Sequence, residues 1–232
     1  MASSGSIDLM IKSKLFEGFS KAECVELCTL LRPTLREYSR RQILLNEGDR
    51  VDFLGLVESG RLTCTKFYYT GNSHIISVLE PFDLLGLETV VTPTRISPVT
   101  VTAQSVSSIL VFDYDSLITD KVLHRTSRLR IMENLIKILG NEGIRQMYKI
   151  EVLSKRALRD RVMTYLCLMS QKRGKDTFSI RMTQEQLAQY LCVNRSALSA
   201  ELNDMAREGL ISFKRDCYTI CRENPAWTEL HQ

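Results

Sequence analysis

The amino-acid sequence predicts an α+β protein in which a β-rich part is followed by a helical part. Short apolar runs broken by turn signals fill residues 35–112, a pattern typical of a β-sandwich or β-barrel. A long apolar stripe with helical spacing follows, and two short amphipathic helices lie near the C-terminus. We therefore expect three segments, residues 1–115, 116–152 and 153–232.

The composition is typical of a globular protein and gives no sign of export or membrane insertion. Of the 232 residues, 44% are apolar and 25% are charged, so the chain can bury a sizeable core. No apolar run reaches the roughly 18–20 residues that a membrane-spanning helix needs, and the N-terminus lacks the basic and then apolar pattern of a signal peptide. We expect a cytoplasmic protein without a membrane partner.

The excess positive charge is concentrated in the last third of the chain. Residues 1–154 contain 18 Lys and Arg against 18 Asp and Glu, whereas residues 155–232 contain 13 against 9, which accounts for the whole net charge of +4. This asymmetry is expected of a nucleic-acid-binding segment. Ordinary solvated surface charge is the alternative explanation.

The seven cysteines are expected to be reduced thiols with structural roles, because a chain without an export signal rarely forms disulfides. No two of them have the Cys-x-x-Cys spacing typical of zinc and redox sites, so we predict no metal site. A redox sensor is the alternative. The cysteines are Cys24, Cys28, Cys64, Cys167, Cys192, Cys217 and Cys221.

The N-terminal segment is expected to begin with a helix and to continue as short strands. Ser20 and Glu23 have the spacing of a capping box at a helix N-terminus. Further along, Gly48, Gly60 and Gly71 fall where hairpins should turn.

From about Ser116 the pattern becomes helical and stays so to about residue 152. Its apolar positions keep a period close to 3.5 residues, which suits the seam of a coiled coil and so predicts a dimer interface. A helix that packs on its own sandwich is the alternative. Gly140 and Gly143 would permit close approach of two helices or a bend. The predicted interface residues are Leu129, Met132, Ile136, Leu139, Gly143, Met147 and Ile150.

The most informative segment lies between residues 179 and 220. Thr183 begins a short helix, and Gln186 is placed to complete its capping box. A short break at Cys192–Asn194 then leads into a second amphipathic helix, for which Asn194 is a good N-cap. Two short helices joined by so tight a turn predict a helix-turn-helix. Generic packing of two helices is the alternative.

The second helix places Arg195, Ser196 and Ser199 away from its apolar face, at the end that enters the DNA major groove in this motif. After it, two β runs flank a basic tip at Lys214 and Arg215, which predicts a wing. Among these side chains, Arg195 can bind guanine in bidentate fashion. The predicted contacts to double-stranded DNA are Thr183, Gln184, Asn194, Arg195, Ser196, Ser199, Lys214 and Arg215.

With these residues in place, the whole chain resembles the CRP/FNR family, the catabolite-activator and fumarate–nitrate-reductase type regulators. ILLNEGDRVDFLGLVESGRL looks like the opening of that family's sensor domain, EPFDLLGLE like the segment that leads into its effector cassette, and TQEQLAQYLCVNRSALSAELNDMAREGLI like its winged helix. The resemblance implies an N-terminal double-stranded β-roll (a jelly-roll-like sensor domain), a long central dimerisation helix and a C-terminal winged helix-turn-helix.

The resemblance also implies a mode of action. It implies a homodimer that binds a two-fold symmetric promoter site, with half-sites about 34 Å apart. It implies that the sensor domain controls DNA binding by shifting the dimer between two states. RNA polymerase would be a further partner if the protein is an activator.

The effector cassette departs from that of the cyclic-nucleotide-binding members. Here the sequence reads Gly86-Leu87-Glu88, one residue out of step, and Ser97-Pro98 stands at the position of their phosphate-binding arginine pair. Arg95 lies two positions early. Because a buried phosphate needs a cation, we do not expect cyclic AMP to bind. The tentative pocket residues are Leu85, Gly86, Leu87, Glu88, Arg95, Ser97 and Ile136.

The sequence also bears on an iron–sulfur cluster, on haem and on other small effectors. The spacing of Cys24, Cys28 and Cys64 does not match the layout of the iron–sulfur members, so we do not expect a cluster. Haem is not excluded, because His74 is a candidate axial ligand, although a structural role is the commoner one for such a residue. A small apolar or anionic effector, or none, is the favoured expectation.

The reading helix also departs from the family pattern. Arg195 is retained, but Ser196 and Ala200 stand where activators of this family often have Glu and a second Arg, so we expect an unfamiliar half-site. Cys192 occupies a turn position where the family commonly has Gly.

Two other classes of function make different predictions. A redox or small-molecule receptor whose C-terminal module binds a protein partner would show binding that is insensitive to salt. An enzyme is not expected, because His74, His124 and His231 are scattered and no nucleophile-elbow, P-loop or metal-binding signature is present.

Overall fold

The computed structural model describes residues 4–69, 73–119, 121–180 and 182–223. The chain forms two compact units, residues 1–141 and 142–232. Gly71 and His231 lie outside the described residues, as does the side chain of His74. Within the described residues, no helix is long and apolar enough to cross a membrane.

Within its described residues, the first unit has short helices at the N-terminal end and then eight short strands. Its elements are α1 (Ser4–Lys12), a 3-10 helix (Lys14–Phe16), α2 (Lys21–Leu31), β1 (Thr34–Tyr38), β2 (Ile43–Leu45), β3 (Phe53–Ser59), β4 (Leu62–Phe67), β5 (Ser73–Leu79), β6 (Leu84–Leu85), α3 (Leu87–Val90), β7 (Thr100–Ala103), β8 (Ser107–Asp113) and α4 (Tyr114–Ile118). The predicted capping box at the start of α2 is confirmed, since the side chains and backbone amides of Ser20 and Glu23 are paired reciprocally.

The strands form two four-stranded antiparallel sheets, ordered β1-β8-β3-β6 and β2-β7-β4-β5. Side chains of both sheets fill a single core, among them Leu54 and Leu56 on β3 and Leu62 on β4. The N-terminal helices close this core, because the rings of Phe16 and Phe112 lie 5.4 Å apart. The predicted two-sheet, α+β sensor architecture is therefore confirmed.

The long helix, α5, covers Arg125–Leu153 and so begins later than the sequence predicted. Ser116 belongs to the separate short helix α4, which Asp113 caps by accepting a hydrogen bond from the Ser116 amide at 2.8 Å. Thr119 then has extended backbone. The apolar residues Leu117 and Leu123 pack into the core of the first unit instead of continuing the helical stripe.

One face of α5 packs on the first unit. Ile131 and Leu135 are buried in that core, and the buried amide of Asn134 donates to the carbonyls of Leu15 and Glu17, both at 3.0 Å. None of these three α5 residues belongs to the predicted stripe. Of the stripe residues, Leu139 is half-buried and Gly143 is exposed. The other five have exposed apolar side chains: Leu129, Met132, Ile136, Met147 and Ile150.

The second unit consists of the end of α5 and a small helical domain with a three-stranded sheet, ordered β10-β11-β9. Val152, near the end of α5, is fully buried in its core, so the division falls inside α5 and not near residue 152, where the sequence placed it. The remaining elements are α6 (Leu158–Arg173), β9 (Thr177–Ser179), α7 (Gln184–Tyr190), α8 (Arg195–Arg207), β10 (Ile211–Lys214) and β11 (Cys217–Ile220).

Gly60 gives a stability test of the β-sheet unit. Its φ is +88°, and a Cβ there would meet the carbonyl oxygen of Val106 at 2.5 Å and the side chain of Ser107. Gly48 has a similar φ of +91° but open space around it. We expect Gly48→Ala to cost about 1 kcal/mol through backbone strain, and Gly60→Ala about 3 kcal/mol because steric overlap adds to the strain.

The measurement is the free energy of unfolding in urea for both variants and the wild type. Equal losses in the two variants would show that the close approach of the turns at Gly60 has no energetic weight.

Candidate nucleic-acid interface

The helix-turn-helix begins at the predicted capping box. Thr183 accepts a hydrogen bond from the amide of Gln186 at 3.2 Å, and the side chain of Gln186 accepts one from the amide of Thr183 at 2.8 Å. These two bonds satisfy amides that the first turn of a helix leaves without a partner. Leu187 and Ala188 then bury the inner face of α7.

The turn between the two helices is closed by its backbone. Cys192 has the left-handed φ of +56°, its amide donates to Gln189, and the amide of Val193 donates to Ala188, at 3.2 Å and 3.0 Å. This is the hydrogen-bond pattern of a helix C-cap in which Gly is the usual left-handed residue. Asn194 stands at the predicted N-cap of α8, but its side chain makes no capping hydrogen bond, contrary to the expectation from its residue type.

Helix α8 separates buried from exposed residues as its sequence predicts. Leu198, Leu202 and Met205 are fully buried, whereas Arg195 and Ser196 are exposed at its N-terminal end. Ser199, of the predicted set, is half-buried, and Ala200 is exposed. The exposed end is therefore lined by one long cationic side chain among small ones.

The wing is a two-residue hairpin. Strands β10 and β11 pair from Ile211–Ile220 to Lys214–Cys217, and Arg215 makes the turn with a φ of +57°. Lys214 and Arg215 are both exposed. The paired residues Phe213 and Tyr218 stabilise the hairpin by stacking their rings, with centroids 5.7 Å apart.

An open groove of about 570 Å³ joins these elements. Arg195 from α8 and Arg215 from the wing both line it, and neither forms a salt bridge within the described part of the chain. Asn194, Ser196, Ser199 and Lys214 lie outside the lining. The lining residues are Met182, Thr183, Gln184, Gln186, Arg195, Arg215 and Asp216.

Asp216 is the acidic residue of the groove lining, and its charge would repel an anion. Its carboxylate accepts a hydrogen bond from Ser179, and this bond lowers the pKa of Asp216, so the groove contains one negative charge at neutral pH. The hydrogen bond from Ser179 ties this turn residue of the wing to β9. Neither Asp216 nor Met182 was among the predicted contacts, and no local sequence pattern singled out Met182.

A network that sequence reasoning missed holds α8 to α6. The Nε of Arg159 donates to Glu201 at 2.7 Å, and its two Nη atoms donate to Glu208 at 2.6 and 2.8 Å. The guanidinium lowers the pKa of Glu208, and the two carboxylates raise the pKa of Arg159. Bidentate pairing of this kind fixes direction as well as distance, so it orients the reading helix.

The tentative effector residues of the first unit lie in different settings. Leu85 and Leu87 are buried in its core, while Glu88 and Ile136 are exposed. Gly86 has a φ of +88°, and a Cβ there would meet the carbonyl oxygen of Phe53 at 3.1 Å. Its close approach to β3 is therefore structural.

Ser97, at the position of the family's phosphate-binding arginine, is buried and makes local contacts. Its hydroxyl donates to the carbonyl of Val99 at 2.7 Å. Its amide donates to Asp49 and its carbonyl accepts from Gly48, both at 2.9 Å. The backbone and side chain of Ser97 are thus used to close the loop.

Arg95 is bound by two carboxylates. Its Nη atoms donate to both oxygens of Asp115 at 2.9 and 3.2 Å and to Asp52 at 3.2 Å, and the guanidinium lies 5.3 Å from the ring centroid of Tyr114. These hydrogen bonds lower the pKa of Asp115 and raise that of Arg95. The pKa of Asp52 is lowered first by its hydrogen bond from Arg50 and then by the one from Arg95. The positive charge of Arg95 is already compensated within the protein.

The cysteines and other metal-binding side chains form no group of three or more that could hold a metal ion among the described residues. Burial raises the pKa of the Cys24, Cys28 and Cys64 thiols, which makes them poor nucleophiles and ligands. Cys192 and Cys217, in contrast, are exposed in the second unit.

Taken together, the winged helix-turn-helix and its two-arginine groove define a DNA-binding protein. Comparison with known proteins agrees with this class. A family model for the Crp-like helix-turn-helix domain matches residues 160–224, and one for the cyclic nucleotide-binding domain matches residues 35–119.

Similar proteins extend the match along most of the chain. The transcriptional activator protein FnrL of Cereibacter sphaeroides is 20% identical over 87% of this chain and 82% of its own length. The CRP-like cAMP-activated global transcriptional regulator of Mycobacterium tuberculosis is 22% identical over 88% of this chain and 90% of its own. The solved structure of the c-di-GMP responsive global regulator CLP of Xanthomonas campestris has a TM-score of 0.59, at 16% identity over 86% of this chain and 98% of that one.

The chain belongs to the CRP/FNR family of transcription regulators, with a cyclic-nucleotide-binding-like sensor domain and a helix-turn-helix DNA-binding domain. It is a regulator and not an enzyme.

Proposed function

We propose that this regulator acts as a homodimer in the cytoplasm, binds a two-fold symmetric promoter site in double-stranded DNA, and is controlled through its N-terminal unit by a signal other than cyclic AMP. The observation that best supports the DNA-binding part is the groove that Arg195 and Arg215 share. An arginine on the helix that enters the major groove and another on the wing can contact a base and a phosphate of the same duplex.

Base reading is assigned mainly to Arg195. Its exposed guanidinium can donate to guanine O6 and N7 together, a contact contributing about 1–3 kcal/mol of discrimination. Ser196 and Ala200, which share the exposed surface of α8, are too short for the contacts that Glu and Arg make there in activators of the family. The half-site should therefore differ from that of the catabolite activator.

Phosphate contacts are assigned to four other predicted side chains of the interface. Lys214 and Arg215 are exposed on the wing, and Thr183 and Gln184 line the groove at the start of α7. Helix N-termini favour anions, so both α7 and α8 present a favourable end to the DNA backbone. These contacts position the protein without reading sequence.

Dimer formation is assigned to the exposed stripe of α5. Ile136 and Ile150 are 68% and 69% exposed, and Met147 is 56% exposed. Apolar side chains that repeat with a heptad period on a 29-residue helix would be buried by a second copy of that helix. Two copies related by a two-fold axis would then place their reading helices on half-sites about 34 Å apart.

Cyclic AMP is not favoured as the effector, although one relative is named as cAMP-activated. A cyclic phosphate needs a cation, and Ser97 replaces the arginine that supplies it in that part of the family. Arg95 is the nearest cation along the loop, and its hydrogen bonds to Asp52 and Asp115 would have to break first. Another small molecule is the candidate effector. RNA polymerase would be a separate partner if the regulator is an activator.

Substitution of the two groove arginines tests DNA recognition. A duplex selected by the wild-type protein from a random pool serves as the specific ligand. We expect Arg195→Ala to lose about 1–3 kcal/mol of preference for that duplex over its variants at the guanine position. We expect Arg215→Ala to weaken binding to all duplexes alike and to lower the slope of log affinity against log salt by about one.

The control is Arg207→Ala, which removes an exposed arginine from the far end of α8, where Asp204 is its partner. Binding should be measured by fluorescence anisotropy at several salt concentrations. Binding that does not depend on salt would favour a protein partner for the module instead. An Arg195→Ala variant with wild-type specificity would contradict the assignment of base reading to Arg195.

Ile136→Lys tests the dimer. A charge on the stripe would have to be buried in the proposed interface, so we expect the variant to be monomeric at concentrations where the wild type is a dimer. Asn141→Lys is the control, because Asn141 is exposed on the same helix but off the stripe. Sedimentation equilibrium gives the mass directly. A wild-type monomer, or a dimeric Ile136→Lys variant with unchanged affinity between subunits, would contradict the proposed interface.

The effect of cyclic AMP on the protein tests the expectation that it is not the effector. We expect a millimolar concentration to change the DNA affinity of the wild type by less than about twofold, because an unpaired buried phosphate is disfavoured. Isothermal titration calorimetry with the free protein is the direct measurement. Saturable binding with a stoichiometry of one per chain would show that the Ser97 loop rearranges to accept it.

A further inference from the structure

Arg161, on the first turns of α6, contacts two segments that are distant in sequence. Its Nε donates to the carbonyl of Lys155 at 2.8 Å, and its Nη1 donates to the carbonyl of Leu191 at 3.3 Å. Lys155 lies in the junction between α5 and α6, and Leu191 is the C-cap of α7, at the start of the helix-turn-helix turn. One planar guanidinium therefore joins the end of the long helix to the turn before the reading helix.

The Leu191 carbonyl is a suitable acceptor, because the last carbonyls of a helix have no intrahelical donor. An arginine side chain commonly satisfies such carbonyls. Only the peptide units of Cys192, Val193 and Asn194 separate Leu191 from Arg195. A shift of the turn would therefore move the start of α8 with little attenuation.

A second contact joins the same two segments. The ammonium of Lys149, on α5, lies 5.6 Å from the ring centroid of Tyr190, the last residue of α7. The Tyr190 ring in turn lies 5.0 Å from that of Tyr165 on α6. Lys149 and Arg161 thus approach the C-terminal end of α7 from the last turns of α5 and from α6.

We propose that Arg161 is a positioning residue for DNA recognition: by holding the Leu191 carbonyl and the Lys155 carbonyl together, it sets the place of Arg195 relative to the end of α5. Arg161 does not itself touch a base in this proposal, which rests on the sequence-specific DNA binding proposed above. Recognition side chains must be held within about 0.5 Å of their productive geometry. The planar guanidinium holds its donors in fixed directions, whereas the three donors of an ammonium rotate freely and fix no direction.

Arg161→Lys is the test, because it keeps the charge and removes the fork. Arg156→Lys is the matched control, since Arg156 is exposed in the same junction. Affinities of the full-length proteins for the selected duplex and for a random duplex of equal length are measured across salt concentrations. Thermal unfolding is followed in parallel to confirm that each variant is folded.

We expect Arg161→Lys to bind the selected duplex about tenfold more weakly, the size of one displaced base contact. Its affinity for the random duplex should change by less than about twofold, and its salt slope should stay the same, because no phosphate contact is lost. A salt slope lower by about one would identify Arg161 as a phosphate contact. Equal losses on both duplexes, or none on either, would also overturn the proposal.

Hydrogen exchange in the free protein gives a readout that does not depend on DNA. The amides of residues 192–197 should exchange faster in Arg161→Lys than in the wild type and in Arg156→Lys, while those of α6 should not. Unchanged exchange at the turn would overturn the positioning role even if DNA binding fell. If the wild type failed to prefer any duplex, the sequence-specific function would be wrong, and the exchange result would still decide what Arg161 does.

Discussion

Helix α5 has to serve two hydrophobic cores, and this constraint determines which of its residues remain available. Ile131 and Leu135 are committed to the core of the first unit, and Val152 to that of the second. Apart from Leu139, which packs against the first core, the residues of the predicted stripe lie outside both cores. The stripe therefore lies on a helix that contributes side chains to the cores of both units.

Interactions within a few residues were the most predictable part of the structure. The capping boxes at Ser20 and Thr183 follow from two residue types three positions apart, and both formed as expected. The buried face of α8 follows equally from the spacing of its apolar side chains. Asn194 shows the limit of the approach, because the right residue type at the right position made no side-chain bond.

The pairs that position the interface were not predictable in the same way. Arg159 meets glutamates 42 and 49 residues away, and Arg95 meets aspartates 20 and 43 residues away. A charged residue in a single sequence looks the same whether it is solvated or paired. The same difficulty explains the late start of α5, since nothing local distinguishes Leu117 and Leu123 as core residues from members of a helical stripe.

The compensated charge of Arg95 bears on how the sensor unit can change over evolutionary time. Placing an arginine at position 97 would require room around a residue that is 2% exposed, together with release of the hydroxyl and backbone contacts that close the loop. Freeing Arg95 instead would leave Asp115 without its cation and Asp52 with Arg50 alone. An arginine at position 97 would therefore have to be accompanied by changes in the loop whose contacts Ser97 now completes.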